Sequence, residues 1–237
     1  MVQSRRSMVL HLSRLVREGN IPIMRKKEVT MKYKSILASA LLLFASSAHA
    51  VSGTEYLNHF MNKVKSLKAV FTQEVVSDQG KITQTSYGAF RLLRPGRFFW
   101  EYESPAPQKI ISDGKNMWIY DIELEQVTVK PLSQALGASP AAILTNPKSL
   151  SKRYTVLEKP PREGLQWVEL LPKDKQGDFL KVEVGLDDAG VQAMDLYDQF
   201  GQLTVIRFRE SEYGVPLSPS IFQFVPPKGV DVIGKPR

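Results

Sequence analysis

The residue types that most often carry out catalysis are scarce beyond residue 50 of this chain. There is no cysteine, and of the three histidines only His59 follows residue 50. Zinc and transition-metal sites are usually built from cysteine and histidine, so the sequence predicts no such site. A lone histidine on a predicted helix, without placeable serine and acidic partners, does not predict a catalytic triad either.

Carboxylates that could act as acid and base occur in three close pairs. Their positions are Glu101 and Glu103, Glu123 and Glu125, and Asp187 and Asp188. A general acid and a general base need different pKa values, and no neighbouring residue would raise the pKa of one member of a pair above that of the other. Glycine-rich phosphate-binding loops are absent as well. The sequence therefore disfavours a hydrolase, and we predict that the protein is not an enzyme.

The residue with the most unusual position is Arg94. Alternation along the preceding strand puts its side chain on the same face as Phe90 and Leu92, while Arg91 points to the other face. A guanidinium stays charged at physiological pH, and its burial without partners would be very costly. We hypothesise that backbone carbonyls at the C-terminal ends of covering helices bind Arg94 when the cover is shut. The arginine would then act as a latch.

The apolar face around this arginine carries more aromatic bulk than a simple sheet needs. These side chains either fill a core or line a cavity, and a buried arginine favours the cavity. The predicted lining consists of Phe71, Phe90, Leu92, Arg94, Phe98, Trp100, Trp118 and Tyr120.

Alternating apolar and polar residues between turn signals predict about ten antiparallel strands. Because the chain lacks the rhythm of parallel βαβ units, we predict a mainly β (α+β) domain. It would consist of a single curved antiparallel sheet with helices over its concave side. The predicted strands are Leu67–Val76, Lys81–Arg94, further strands up to Asp121, Val127–Lys130, Leu165–Leu171, Phe179–Leu186, Val191–Phe200, Gln202–Glu210 and Ile221–Phe224.

Two segments have helical periodicity. Residues 54–64 place Leu57, Phe60, Met61 and Val64 on one stripe, which predicts an amphipathic helix packed on the sheet. A second, weakly helical segment follows Pro131, is interrupted by glycine and proline, and ends at Asn146 and Pro147. This segment is either a movable lid or an ordinary connection. The predicted lid residues are Leu132, Leu136, Ile143 and Leu144.

The first fifty residues have the features of a leader. A basic start at Met31 precedes the apolar run Ile36–Ala45 and small residues at Ala48 and Ala50, which predicts a secretory signal peptide over residues 31–50. Residues 1–30 are predicted to be a mis-assigned upstream start, with an authentic long leader as the alternative. Residues 51–237 would form one domain, released into the periplasm because no cysteine is available for lipid attachment.

Most of the positive charge belongs to this leader. The whole chain has 32 basic and 24 acidic residues, whereas residues 51–237 have 23 and 22. A nearly neutral domain gives no support for binding to nucleic acid or to an anionic membrane surface.

Two motifs make the sequence recognisable. One is Arg-Pro-Gly-Arg-Phe-Phe-Trp-Glu-Tyr, from Arg94 to Tyr102, and the other is Ser-Asp-Gly-Lys-Asn-Met-Trp-Ile-Tyr, from Ser112 to Tyr120. With these two motifs and the closing run Phe224-Val-Pro-Pro-Lys-Gly-Val, the chain from Leu67 onward closely resembles the LolA family, which consists of periplasmic carriers of outer-membrane lipoproteins. The segment Lys152–Asp178 matches least.

The resemblance implies an unclosed β-barrel with a helical lid over an apolar cavity, without a cofactor. A LolA-like carrier, expected to act as a monomer, accepts the acyl chains of lipoproteins from an inner-membrane ABC transporter, LolCDE. It passes them to an outer-membrane receptor, LolB, which has a similar fold but is lipidated on a cysteine. The lid-locking arginine of the family falls on Arg94, and its cavity phenylalanine falls on Phe98.

Other functions stay open at this stage. A regulatory sensor with a LolA-like fold would read acylated lipoproteins, but such sensors usually carry a second domain, and this chain ends ten residues after Pro227. A specialised relative that carries another lipid or a glycolipid would have the same sequence features. An enzyme that acts on lipid is a third and more distant alternative.

Overall fold

The computed structural model describes residues 51–135, 139–174 and 177–237. The predicted upstream start, the predicted signal peptide and the predicted lid residue Leu136 lie outside these residues. None of the described helices is long and apolar enough to cross a membrane.

The described chain begins with the amphipathic helix that the apolar stripe predicts. Helix α1 spans Gly53–Lys63. The Ser52 hydroxyl accepts a hydrogen bond from the Glu55 N–H, and the Glu55 carboxylate accepts one from the Ser52 N–H. This capping box fixes the start of the helix. The residues that α1 buries are Gly53, Leu57, Phe60 and Met61.

In the described part of the chain, twelve strands follow α1. They are β1 (Ser66–Val76), β2 (Ile82–Leu93), β3 (Arg97–Ser104), β4 (Gln108–Asp113), β5 (Asn116–Asp121), β6 (Gln126–Pro131), β7 (Tyr154–Arg162), β8 (Leu165–Pro172), β9 (Phe179–Leu186), β10 (Val191–Asp198), β11 (Leu203–Tyr213) and β12 (Asp231–Ile233). Between β6 and β7 the structure has the short helices α2 (Leu132–Ala135), α3 (Pro140–Ile143) and α4 (Pro147–Arg153). A 3-10 helix, Pro219–Phe222, precedes β12.

All twelve strands belong to one sheet, in the order β12-β6-β5-β4-β3-β2-β1-β11-β10-β9-β8-β7. Neighbouring strands are antiparallel, except that β12 runs parallel to β6. The edge strands β12 and β7 do not pair with each other, so the sheet does not close into a barrel. The predicted mainly β fold with a single unclosed sheet is confirmed.

Strand β7 is missing from the sequence prediction because Pro160 and Pro161 lie within it. Proline has no N–H to donate, so it is tolerated at a sheet edge and disfavoured in a central strand. Strand β7 occupies such an edge, and its register with β8 is irregular between Lys159 and Arg162.

The predicted strand Ile221–Phe224 is wrong. Pro219 opens a 3-10 helix there, and the Ser218 hydroxyl accepts a hydrogen bond from the Ser220 N–H to cap it. The pattern of the sequence, which alternates over only four residues, is too short to exclude a helical turn. The three-residue strand β12 is too short to give any alternation signal.

The two faces of the sheet are covered in different ways. We call the face that packs against α1 to α4 the inner face, and it carries the larger cluster of buried side chains. The opposite, outer face of β3 to β6 is covered by the chain that follows β11. The buried residues of this smaller outer cluster are Ile111, Trp118, Val127 and Val129, and Phe99, Tyr120, Phe224 and Val230 pack against them.

The pairing of β2 with β3 depends on a glycine at an irregular point of the register. Tyr87 faces Ser104, but Gly88 faces Tyr102. A Cβ atom on Gly88 would lie 1.8 Å from the Glu101 carbonyl oxygen and 2.9 Å from the Phe71 ring. The backbone of one of the two strands would have to move to admit it.

We therefore expect Gly88→Ala to lower the free energy of unfolding by about 3 kcal/mol, at the upper end of the usual cost of overpacking. Urea denaturation followed by circular dichroism measures the loss. The matched control is Gly80→Ala, since a Cβ on Gly80 meets nothing within 4 Å and only its positive φ of 76° is strained. That strain costs about 1–2 kcal/mol, so equal losses in the two variants would contradict the steric argument.

Candidate functional site

The end of strand β2 places Arg94 beneath the helices. Its side chain follows the inward alternation of Phe90 and Leu92 and is 8% exposed. Its backbone N–H donates to the Lys65 carbonyl at 2.8 Å, which holds the residue beside the start of β1. The prediction that Arg94 lies on the apolar face is confirmed.

Three backbone carbonyls accept hydrogen bonds from the Arg94 guanidinium. Nη1 donates to the carbonyl of Phe60 at 3.2 Å and to that of Val64, in the last turn and at the C-cap of α1. Nη2 donates at 2.8 Å to the carbonyl of Leu144, the C-cap of α3. The Phe60 carbonyl also accepts a hydrogen bond from the Val64 N–H at 3.3 Å. Carbonyls at a helix C-terminus carry partial negative charge, so they suit a buried cation. This geometry agrees with the latch hypothesis.

Aromatic and sulfur contacts complete the surroundings of the guanidinium. Its central carbon lies 4.5 Å from the centre of the Phe60 ring, and Nη2 lies 3.4 Å from the Met61 sulfur. Nε of Arg94 is buried and has no hydrogen-bond partner among the described residues. Burial lowers the pKa of Arg94 to about 10, so the side chain is still charged at neutral pH.

Five of the predicted lining residues meet on the inner face. These residues, each at most 2% exposed, are Phe71, Phe90, Leu92, Phe98 and Trp100. The centre of the Trp100 ring lies 4.3 Å from that of Phe71 and 4.9 Å from that of Phe90. Phe208 of β11 joins them, with its ring centre 5.7 Å from that of Phe90. The prediction omits Phe208, although its alternation with Ile206 marks the buried side of β11.

Trp118 and Tyr120 lie on the outer face, so the prediction that they line the same cavity as Phe98 is wrong. Trp118 faces Ile111 across β4 and β5, and Ile111 faces Phe99 across β3 and β4. Residues that face each other in an antiparallel pair share one side of the sheet. This row is therefore on the side opposite Phe98.

Contacts with the C-terminal segment explain the outward position of these two aromatic residues. The Phe224 ring centre lies 5.7 Å from that of Trp118 and 5.8 Å from that of Tyr120. Met117 and Ile119 take the inward positions on β5. Because both sides of this strand are apolar, alternation does not tell which side faces inward.

The short helices between β6 and β7 cover part of the inner face. The predicted lid residues Leu132, Ile143 and Leu144 are buried in the inner cluster. Helix α4 is missing from the prediction because Pro147 reads as a stop signal, whereas proline is well tolerated at the first position of a helix. A groove of about 290 Å³ lies between α1 and α4. The helical cover of the inner face thus has two parts, α1 and the group α2 to α4. Arg94 donates hydrogen bonds to carbonyls of both parts.

Comparison with known proteins agrees with the motifs. A family model described as "Outer membrane lipoprotein carrier protein LolA" matches residues 62–225, which include Arg94, the inner-face residues of β1 to β3 and the lid helices. The chain belongs to the LolA family.

Two outer-membrane lipoprotein carrier proteins are similar to this chain along nearly their whole length. An outer-membrane lipoprotein carrier protein of Methylococcus capsulatus is 40% identical over 201 residues, which cover 85% of this chain and 96% of the relative. The protein of the same name from Dechloromonas aromatica is 39% identical over 210 residues, which cover 89% of this chain and 100% of the relative. A LolA superfamily protein from Nitrosomonas europaea, known from a crystal structure, has 13% sequence identity to this chain. The two structures superpose with a TM-score of 0.44, over 74% of this chain and 99% of the other.

Glu158 of β7 holds the start of α1, at the opposite end of the helix from Arg94. Its carboxylate accepts hydrogen bonds from the Gly53 N–H at 2.5 Å, the Thr54 N–H at 3.0 Å and the Thr54 hydroxyl at 2.7 Å. Burial alone would raise the pKa of Glu158, but the hydrogen bonds from Thr54 and Gly53 outweigh it and lower the pKa below its ordinary 4.5. The carboxylate thereby helps to position the whole helix.

We expect Glu158→Gln to destabilise the protein at neutral pH and to weaken its acid dependence. Because the folded-state pKa is lowered, the carboxylate stabilises the fold above pH 4.5, and this contribution is lost as the pH falls through the folded-state pKa. A helix N-terminal contact of this kind contributes about 1 kcal/mol, equivalent to about 2–4 °C in melting temperature. The difference from the unmodified protein should shrink as the pH is lowered.

Thermal unfolding by circular dichroism between pH 7 and pH 2 measures this effect. Glu103→Gln is the matched control, because Glu103 is an exposed carboxylate at the end of β3, far along the sheet order from β7. A melting temperature of Glu158→Gln at pH 7 equal to that of the control would show that Glu158 does not anchor α1.

Proposed function

We propose that this protein carries outer-membrane lipoproteins across the periplasm by holding their acyl chains against the inner face of the sheet. Membership of the LolA family supports a carrier role. The observation that carries the proposal is the guanidinium of Arg94, which ties two separate helical segments over an apolar surface. A core without a moving part gains little from a buried charge, since a well-packed apolar side chain is usually as stable or more so.

The proposed path of the cargo follows from family membership. The carrier accepts lipoproteins from the inner-membrane transporter LolCDE and passes them to the outer-membrane receptor LolB. Residues 31–50 act as the signal peptide that brings the chain to the periplasm, where it works as a monomer.

We assign two roles to the residues of the site. Acyl chains contact the inner face, and the lid moves to admit them when the hydrogen bond from Arg94 to Leu144 breaks. The proposed contact residues are Phe71, Phe90, Leu92, Phe98 and Trp100, and the proposed lid residues are Leu132, Ile143 and Leu144.

The energetics explain why such a carrier needs a lid under electrostatic control. Each buried methylene contributes about 0.8 kcal/mol, so an acyl chain with about fourteen of them gains on the order of 11 kcal/mol on leaving water. Release into water would be far too slow. The cargo must pass directly between apolar surfaces, and the energy of opening the lid offsets part of the binding energy so that the carrier still lets go.

Incubation of the purified protein with spheroplasts that make labelled outer-membrane lipoproteins tests the function. We expect labelled lipoprotein to appear in the soluble fraction as a one-to-one complex with the carrier. If a well-folded protein releases none, the carrier proposal fails, and native mass spectrometry of co-purifying molecules would then test for another lipid or glycolipid.

We expect Arg94→Leu to keep the ability to bind acyl chains but to deliver them more slowly. In the unmodified protein, the hydrogen bonds of Arg94 stabilise the closed, empty state and so favour release of the cargo. The substitution removes this stabilisation, so release becomes less favourable. A charge-assisted hydrogen bond contributes about 1.5–3 kcal/mol, so even one lost bond should slow delivery to membranes containing LolB by about tenfold.

Arg91→Leu provides the matched control for this variant. Arg91 is on the outer face, where its guanidinium lies 5.5 Å from the centre of the Phe99 ring. It should release and deliver lipoprotein like the unmodified protein. Undiminished delivery by Arg94→Leu, with soluble complex formed normally, would refute the latch.

A further inference from the structure

The unclosed sheet leaves a gap between strands β6 and β7. In the described chain, β12 pairs only with Gln126–Thr128 of β6, so the end of β6 has no strand partner on this side. A cavity of about 500 Å³ lies at the gap. It is lined from both edges of the sheet and from the helices α2 and α4, by residues that include Lys130, Ser133, Gln134, Arg153, Tyr154 and Phe179.

The floor of this cavity belongs to the inner face. Lys130 faces Met117 across β5 and β6, and Met117 is part of the inner cluster. Residues that face each other in an antiparallel pair share one side of the sheet, so Lys130 also points inward. On the other edge, Tyr154 is 6% exposed and belongs to the same cluster, and Phe179 packs against it. The cavity therefore borders the apolar surface that we assign to the acyl chains.

The walls of the cavity are polar and carry charges of both signs. Lys130 and Arg153 are basic, whereas Asp174 and Asp178 are acidic. The Arg153 guanidinium donates to the Ser133 carbonyl at 2.9 Å, which joins α4 to α2 beside the cavity. Walls that offer both donors and acceptors suit a polar ligand better than they suit hydrocarbon.

A lipidated protein needs such a boundary between apolar and polar surroundings. Its acyl chains and its polypeptide are joined at one residue, so a carrier that buries the chains must let the polypeptide leave beside them. At the gap the polypeptide can pass without breaking a strand pair, since β6 and β7 do not pair with each other. Peptide groups carry both donors and acceptors, as the walls do. The phosphate of a membrane lipid would instead meet the carboxylates of Asp174 and Asp178.

We infer that the cavity between β6 and β7 binds the first residues of the cargo polypeptide, next to the residue that carries the acyl chains. This inference rests on the proposed function, and it adds a polar subsite to the apolar one. The acyl chains lie on the inner face, and the polypeptide extends from the cavity into water.

Photo-crosslinking with two synthetic lipopeptides tests the assignment in the unmodified protein. Both carry two palmitoyl chains on an S-glyceryl cysteine, followed by the same short peptide. One has a diazirine on the second residue of the peptide, and the other has a diazirine near the end of an acyl chain. Mass spectrometry then locates the crosslinks. We expect the acyl label on β1 to β3 and the peptide label on the walls of the cavity, at Gln134, Arg153 or Asp178.

We expect Gln134→Trp to weaken lipopeptide binding about tenfold, as overpacking of a binding site predicts. Gln134 is exposed on α2 at the wall of the cavity, and the larger side chain narrows it. Binding of palmitate, which has no polypeptide, should change little. Displacement of a fluorescent fatty acid measures both affinities. Gln223→Trp is the matched control, because Gln223 is exposed at the end of the 3-10 helix that packs near β3 and β4. This control should bind both ligands like the unmodified protein.

Failure of this inference and failure of the proposed function are separable. A peptide label between α1 and α4, on Asn58 or Lys148, would overturn the inference and leave the carrier function intact, because the polypeptide would then leave through the groove there. Equal weakening of palmitate and lipopeptide binding in Gln134→Trp would also overturn it, since the cavity would then belong to the acyl site. If neither lipopeptide binds, the proposed function fails as well.

Discussion

A full positive charge inside an apolar core is the constraint on which the arrangement of this protein depends. Desolvation makes such a charge tolerable only where several acceptors converge. Here the acceptors come from the ends of α1 and α3, and the donor comes from the end of β2. The capping box of Ser52 and the Glu158 carboxylate set the position of α1 from its other end. The Arg94 guanidinium thus links the C-terminal ends of α1 and α3, which are more than fifty residues apart in the chain.

On β7 to β11, the outer face of the sheet is stabilised by buried ion pairs, and the helices α1 to α4 pack on the inner face. On β7 to β11, the carboxylates of Glu183 and Asp195 are buried and accept hydrogen bonds from Arg162 at 2.8 Å and 2.6 Å. The Arg162 guanidinium also lies 3.5 Å from the centre of the buried Trp167 ring. Networks with this fork geometry contribute more than isolated surface pairs. This network therefore stabilises the sheet from the side that α1 to α4 do not cover.

Much of the fold was accessible from the sequence because most strands have one clear apolar side. The stripe of α1, the strands that flank Arg94 and the inward position of Phe90, Leu92 and Phe98 follow from periodicity alone. The same periodicity, joined to the cost of burying a charge, predicts backbone carbonyls at helix C-termini as the partners of Arg94. Recognition of the LolA motifs supplied the open barrel and the lid.

The parts that escaped prediction depend on tertiary context that a local sequence pattern does not contain. Strand β5 is apolar on both sides, so only pairing with β4 and contact with Phe224 put Trp118 on the outer face. The prolines of β7 and the proline at the start of α4 act differently at an edge or a first helical turn than within an element. The identity of the acceptors, Phe60, Val64 and Leu144, depends on tertiary geometry that no local pattern contains.

The chemistry of arginine explains why no other cation would serve at position 94. Its two terminal nitrogens point in different directions, so one side chain can reach carbonyls on two helices, whereas a lysine ammonium is a single point of charge. Burial has already lowered the pKa of Arg94 to about 10. The same burial would also lower the pKa of a lysine, whose ordinary value of about 10.4 already lies below that of arginine, so a lysine would lose its charge more readily. Arginine keeps its charge in spite of burial, so its hydrogen bonds to carbonyls of both helical segments remain charge-assisted at physiological pH.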